Sequence, residues 1–313
     1  MSTSSPMMHV AKATLQSSVR DSTFLLLTAL FLAMVLLAAW LGWSATQTIN
    51  AIYTEAVKFM QVQGVIIPPN PVTERSPLAL LRNMSIYVAL LGALASLVLG
   101  HLAVASDRKS GIIPIIASRP ISRMDYASGK LIAIATAIIS LTAFAALVNV
   151  VTLLVLPGLA LAPDTWVRLF GFYVASAFYM MAFGFLAALC AIKLKSESIA
   201  LLLPVTVWLV LTFILPQVTA NISPYAAMNP LSATAALPTG GFFAFTDAVF
   251  GPLSLAEAYR SLSTDLLQLS PDNLPRRSMS SSIFTIALFN IILAAGFIYS
   301  TMRFDASRSD FNE

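Results

Sequence analysis

An all-α, polytopic membrane fold with six transmembrane helices is what this sequence predicts, on three observations. Hydrophobic residues make up 58% of the 313, while Asp, Glu, Lys and Arg make up only 10%. A soluble globule of that size needs more polar surface than this to cover itself. The charges are also unevenly placed and leave six long uncharged intervals. A helix crosses lipid where no ion has to be buried, and it needs about 20 apolar residues to do so. Finally, Cys190 is the single cysteine and lies in an apolar run. One cysteine builds neither an intrachain disulfide framework nor a thiolate metal cluster, and it reads as a small core residue. Residues 1–313 are therefore expected to form one membrane domain with modest loops.

The elements follow from the charge map. Residues 1–22 hold Met8, Ala11, Leu15 and Val19 on one helical face, with Lys12, Gln16 and Arg20 on another, the pattern of an amphipathic helix lying along a membrane surface. The six spans are predicted at roughly Phe24 to Trp43, Ser85 to Ser106, Leu131 to Leu156, Leu169 to Ile192, Ile199 to Leu215 and Ile283 to Thr301. The first is longer than the roughly 7–15 apolar residues at the centre of a cleaved signal peptide, so it is expected to remain as an anchor. Residues 44–84 read as an external loop. An amphipathic helix through Ile49, Ile52, Ala56 and Phe59 is followed there by a forced turn at Pro68, Pro69, Asn70 and Pro71. Ser76 and Pro77 then read as the N-cap and first turn of the helix entering the second span.

Orientation comes from Lys and Arg, which concentrate in cytoplasmic loops near helix ends. With the N-terminus inside, eleven of the 18 fall on the cytoplasmic side and seven on the other, over about twice the length. Both termini are expected in the cytoplasm. The net charge of +4 reflects this bias. Nucleic acid is not an expected partner, since binding it needs a concentrated basic face.

Residues 216–282 form a second long external segment, which includes Phe242, Phe243, Phe245 and Phe250. An apolar segment of that length is expected to pack against something. Three readings stand at this stage: short re-entrant helices, a docking surface for an external protein, or a self-packed cap.

The most informative stretch is the cytoplasmic loop at 107–130. It opens on Asp107, Arg108 and Lys109, yet Ile112, Ile113, Ile115 and Ile116 make an apolar knob within it. Covering that knob would release a few kcal/mol at about 25 cal/mol per Å². Pro120 biases Arg119 away from helix, and Ser122 with Asp125 reads as the capped start of the next helix. Two readings remain open on these grounds: a docking surface for a soluble partner, or an interfacial helix resting on lipid.

This loop resembles that of ABC-2 type transporter permeases, with the NosY-like permeases most similar. The resemblance rests on Asp107, Arg108, Lys109 and Gly111, a short apolar element, then Ser118, Arg119, Pro120, Ile121, Ser122 and Arg123, and finally Gly129 and Lys130. The wider layout agrees, including Asn229 and Pro230 ahead of the last span. Asp107 stands where glutamates are common in the family, and Pro114 interrupts the short element. The resemblance implies a permease subunit paired with a second copy, a homodimer, and served by a separate cytoplasmic ABC ATPase. Gly111, Ile112, Ile113, Ile115, Ile116, Ser118, Arg119, Pro120 and Arg123 would form the coupling helix that docks that ATPase. ATP and Mg would belong to the partner. This chain has no Walker-type Gly-x-x-x-x-Gly-Lys-Ser/Thr loop and is expected to hold no cofactor or metal. The implied work is export, or mechanical service to an external protein partner in metalloenzyme maturation.

An intramembrane enzyme is the rival from another class. His101, Asn149 and Asn290 are the candidates for a polar pathway within the spans, although a lone His or Asn commonly makes an interhelical hydrogen bond. No His-Glu-x-x-His or Gly-x-Ser-x-Gly motif is present, so no catalytic residues are assigned. Met180, Met181 and Cys190 do not share one helical face, and they read as core rather than as a soft-metal site.

Overall fold

Hydrocarbon offers no hydrogen-bond partner to the backbone, so spanning segments resolve into helices that satisfy their own N–H and C=O groups. A computed structural model of the chain describes residues 5–64, 66–74, 76–109, 111, 121–155, 161–220, 240–269 and 277–304, and no strand occurs among them. In order they form α1 (Pro6–Arg20), α2 (Ser22–Gln63), a single turn α3 (Pro71–Glu74), α4 (Pro77–Lys109), α5 (Arg123–Val155), α6 (Pro163–Lys193), α7 (Glu197–Thr219), α8 (Gly241–Phe250), α9 (Leu255–Leu266) and α10 (Met279–Met302). Six of these, α2, α4, α5, α6, α7 and α10, are long and apolar enough to cross a membrane, as the sequence predicts.

All six begin before their predicted starts and five also run past their predicted ends, α2 most of all. Its 42 residues make a rod of about 63 Å, roughly twice the hydrocarbon thickness. Ile49, Ile52 and Phe59, expected on a separate amphipathic helix, instead continue the first span and are exposed. No proline interrupts 22–63 and the one internal glycine, Gly42, packs against the Leu80 carbonyl, so the ladder propagates until Gly64, whose φ of 66° ends it in the left-handed conformation. At the start, Asp21 accepts from the N–H groups of Thr23 at 2.9 Å and Phe24 at 3.1 Å. The proline-rich turn beyond Gly64 is pinned back onto α2, where Tyr53 donates to the Pro68 carbonyl at 2.8 Å and Asn70 to Asn50 at 2.9 Å. Ser76 caps α4 as expected, accepting from Leu78 at 3.3 Å.

α1 packs on the bundle along one face and leaves much of its apolar stripe open. Met8 and Val19 are exposed, while Ala11, Thr14 and Ser18 are buried. The helix crosses α5 closely: a Cβ at Gly129 would collide with the Met7 carbonyl and the Val10 side chain. Glycine at 129 leaves room for the Val10 side chain. Thr14 and Ser18 turn their hydroxyls inward, onto the Val10 and Thr14 carbonyls.

α6 is the central helix, with 83% of its most apolar window buried, against 17% for α7. Lipid gives helices no hydrophobic reason to associate, so close backbone approach and interhelical hydrogen bonds do that work. Gly92, Ser96 and Gly100 recur every four residues along α4, and a Cβ on Gly100 would strike the backbone of Gly184 in α6. Ile134 of α5 fills the remaining space over Gly184. In α7 Pro204 and Pro216 lack N–H groups, and a π turn at Val210–Ile214 widens the ladder ahead of Pro216.

At the end of the bundle away from the 107–130 loop, α9 runs antiparallel to α6. Leu266 lies over Gly171, and Tyr259 stacks on Tyr179 with ring centroids 4.3 Å apart while its hydroxyl meets that of Ser176 at 2.9 Å. Tyr179 falls about 24 Å along α6 from Pro163, so α9 reaches the mid-length of the central helix. Arg277 fastens it, pairing with Asp247 of α8 at 2.8 Å and Glu257 of α9 at 3.4 Å. Phe242, Phe245 and Phe250 of α8 remain exposed. Residues 221–239 and 270–276 of this predicted segment, Asn229 and Pro230 included, lie outside the described residues.

The α4–α6 crossing generates a stability prediction. Gly100→Ala forces two backbones apart and is expected to lower the melting temperature of the detergent-purified chain by several degrees. Gly64→Ala, in open space, is expected to cost only the left-handed backbone strain of about 1 kcal/mol. Differential scanning fluorimetry of both variants checks the order.

Candidate functional site at the base of the loop between the second and third spans

The loop joining α4 to α5 emerges from a tightly tied set of helix ends. Asp107, in the last turn of α4, faces Lys130, two turns into α5, with Nζ and Oδ2 2.6 Å apart and side chains only 13% and 3% exposed. The Tyr126 hydroxyl, one turn before Lys130, donates to the same carboxylate oxygen at 2.9 Å, and its ring lies 5.3 Å from the ammonium. Burying a lone charge costs several kcal/mol, and the pairing with further hydrogen bonds offsets that cost. The pair thus holds α4 and α5 in one register on either side of the loop.

The neighbouring residue ties in a third helix. Arg108 is 3% exposed, and its Nη1 donates to the carbonyls of Ala191 and Leu194, each at 2.6 Å. These belong to the C-terminal end of α6, where carbonyls lack helical partners and the dipole favours a cation. The guanidinium also sits 5.8 Å from the Phe304 ring, just past α10. Lys109 reaches Glu197, the first residue of α7, at 2.6 Å. This pair is well exposed and contributes little. Arg123, the first residue of α5, donates to the Met302 carbonyl at the end of α10, at 2.5 Å. Five helix ends are therefore fastened at the base of one loop, and α1 lies across the same face through Gly129.

The loop's exit and entry are locally determined. Gly111 has φ of 62° with its N–H on the Arg108 carbonyl at 3.2 Å, a left-handed turn that closes α4. A Cβ there would meet nothing within 4 Å, so the backbone conformation and not crowding favours glycine. On the far side Ser122 accepts from the Asp125 N–H at 2.9 Å and donates to its carboxylate at 2.7 Å, the capping arrangement read from the sequence. Of the nine residues expected on the coupling helix, Gly111 and Arg123 stand at these two ends. Ile112, Ile113, Ile115, Ile116, Ser118, Arg119 and Pro120 lie outside the described residues.

The three intramembrane polar candidates are not brought together. His101 of α4, 3% exposed, lies against the carbonyl of Ala200 in α7, the acceptor that Pro204 leaves without its helical N–H. Asn149 of α5 donates to the Tyr173 hydroxyl of α6. Asn290 of α10 donates to the Phe178 carbonyl of α6 at 2.9 Å and to its own Ile286 carbonyl at 2.8 Å. Each joins a different pair of helices. Met180 and Met181 are buried in the core, as is Cys190, and no group of three or more His, Cys, Asp or Glu side chains is placed to hold a metal among the described residues.

Tyr126, Arg108 and the Asp107–Lys130 pair carry this site and were not assigned by sequence reasoning. The available signal was an acid and a base flanking one short loop, each within about one and a half turns of an apolar span.

Six helices long and apolar enough to cross a membrane, gathered on a central one, define a polytopic membrane protein. The chain belongs to the family described as ABC-2 family transporter protein, whose model matches residues 8–308, and it is thus a permease component of an ABC transporter. No curated protein matches it significantly.

The buried pair yields a double-mutant test. Lys130→Met leaves Asp107 without its cation and is expected to destabilise the chain by about 3–5 kcal/mol. Adding Asp107→Asn, which can still accept from Tyr126, is expected to restore most of the loss. Melting temperatures of wild type, both single variants and the double variant give the coupling.

Proposed function

We propose that this chain is the membrane-spanning half-path of an ABC transporter, in which a separate ATPase binds ATP and Mg and docks on the loop between α4 and α5. The observation that carries the proposal is the fastening of five helix ends at the base of that loop. A displacement applied to the loop would pass through Asp107, Arg108, Lys130 and Arg123 into α4, α5, α6 and α10 at once, because packed, hydrogen-bonded elements move as units. In this reading the loop, whose sequence carries Ile112, Ile113, Ile115, Ile116 and Arg119, is cytoplasmic, as are both termini, and the protein sits in the cell membrane, the inner one where there are two. Two copies pair as a homodimer, which the exposed apolar faces of α2 and α7 support.

A second reading keeps the same energy input but delivers it to an external protein, as in NosY-like permeases. The exposed Phe242, Phe245 and Phe250 of α8, held over α9 by Arg277, favour it. α9 is read here as re-entrant, because it reaches the mid-length of α6.

Docking is tested by isolating the tagged chain with its ABC ATPase from co-expressing cells. Wild type is expected to retain the ATPase, while Ile115→Asp combined with Arg119→Glu is expected to lose it with an unchanged melting temperature. Full retention by the double variant contradicts the docking role. In reconstituted vesicles, ATP-dependent movement of a substrate supports export, whereas hydrolysis stimulated only by an added external protein supports the mechanical reading.

A further inference from the structure

We infer that the cleft between α2 and the opening of α4 is a binding site for an anionic phospholipid. This stands independently of the ATPase-docking reading, since the cleft lies at the opposite end of the bundle from the 107–130 loop.

The cleft has a volume of about 360 Å³, walled by Leu41, Ala45 and Ile49 of α2 and by Leu80 of α4, with Arg82 and Asn83 at its polar side. Its depth in the bilayer is marked by Trp40 and Trp43, whose rings lie 5.1 Å apart. Paired tryptophans gather at the boundary between acyl chains and headgroups. Residues 41–49 run from that boundary outward over about 12 Å, which is the thickness of a headgroup region. The cleft therefore opens at the level where phosphates lie, and the exposed Leu37 and Leu41, one turn apart, continue from it towards the acyl chains.

Charge selects the headgroup. Arg82 is half-buried, and no described acidic side chain pairs with it. A guanidinium is a fork suited to two oxygens of a phosphodiester, which would also accept from the Asn83 amide. A zwitterionic lipid would bring an ammonium group as well, and the described residues that line the cleft include no carboxylate to receive it. The space equals roughly a dozen water volumes, and water held against Leu41, Ala45, Ile49 and Leu80 would forgo hydrogen bonds. An amphiphile with one negative charge satisfies both sides of the cleft.

The test uses the full chain in phosphatidylcholine vesicles containing brominated phosphatidylglycerol, with Trp166→Phe and Trp208→Phe leaving Trp40 and Trp43 as reporters. Quenching is expected to show about fivefold preference for the anionic lipid over its mole fraction, the worth of one interfacial arginine, falling to parity in Arg82→Gln. Lipid retained by the otherwise unaltered chain, purified from equal mixtures of the two lipids and counted by mass spectrometry, is expected to show the same ratio without the tryptophan changes. Inorganic phosphate at about 10 mM is expected to leave the quenching intact, because the acyl chain contributes. Parity in wild type, a preference that survives Arg82→Gln, or loss of quenching on adding phosphate overturns the assignment, the last pointing to a site for a free anion.

Discussion

A lysine and an aspartate buried at the edge of a membrane bundle set the terms for everything around them. Lys130 and Asp107 are charges that neither lipid nor protein core accepts singly, so α4 and α5 must meet with their ends aligned. That alignment puts Tyr126 on the carboxylate and delivers Arg108 to the open carbonyls of α6. It also leaves Arg123 at the end of α10. The loop between these residues thus grows out of a fixed base rather than from two independent helices. In an ABC-2 family permease component, that is the property a docked engine would need.

Below this base the bundle is held by a different means. α4 and α6 approach so closely at Gly100 and Gly184 that only hydrogen atoms fit between their backbones, and α1 crosses α5 in the same manner at Gly129. Between these contacts, single polar groups bridge neighbouring helices. His101 lies against the carbonyl freed by Pro204, Asn149 joins Tyr173, and Asn290 joins the backbone of α6. Such bonds are modest individually, about 0.6 kcal/mol on average, yet each fixes the rotation of one helix against the next. Polar residues that looked like steps of a pathway thus hold separate interfaces of the bundle.

Much of this was legible before folding. Charge spacing located all six spans, because burying an ion in lipid dominates every other local preference. Ser122 with Asp125 and Ser76 with Pro77 announced helix starts through chemistry confined to four residues. Other features depended on contacts that a linear pattern does not contain. Lys130 stands 23 positions from Asp107, and nothing local distinguishes it from a snorkelling interfacial lysine. The face by which α1 packs, Ala11 with Thr14 and Ser18, was not legible either, because it depends on the close crossing at Gly129 and not on the apolar spacing of α1. The outward run of α2 was hidden because amphipathic spacing reads the same in a free helix as in the extension of a span.

The central claim is that the ends of α4, α5, α6 and α10 behave as one unit because the buried pair anchors them. Native-state hydrogen exchange on the reconstituted chain, read by peptide mass spectrometry in wild type and Lys130→Met, addresses it directly. The account predicts that amides in the terminal turns of all four helices lose protection together, by a similar factor, while the middle of α6 around Tyr179 stays protected. Loss of protection confined to the first turns of α5, with α6 and α10 unchanged at Ala191 and Met302, would contradict it.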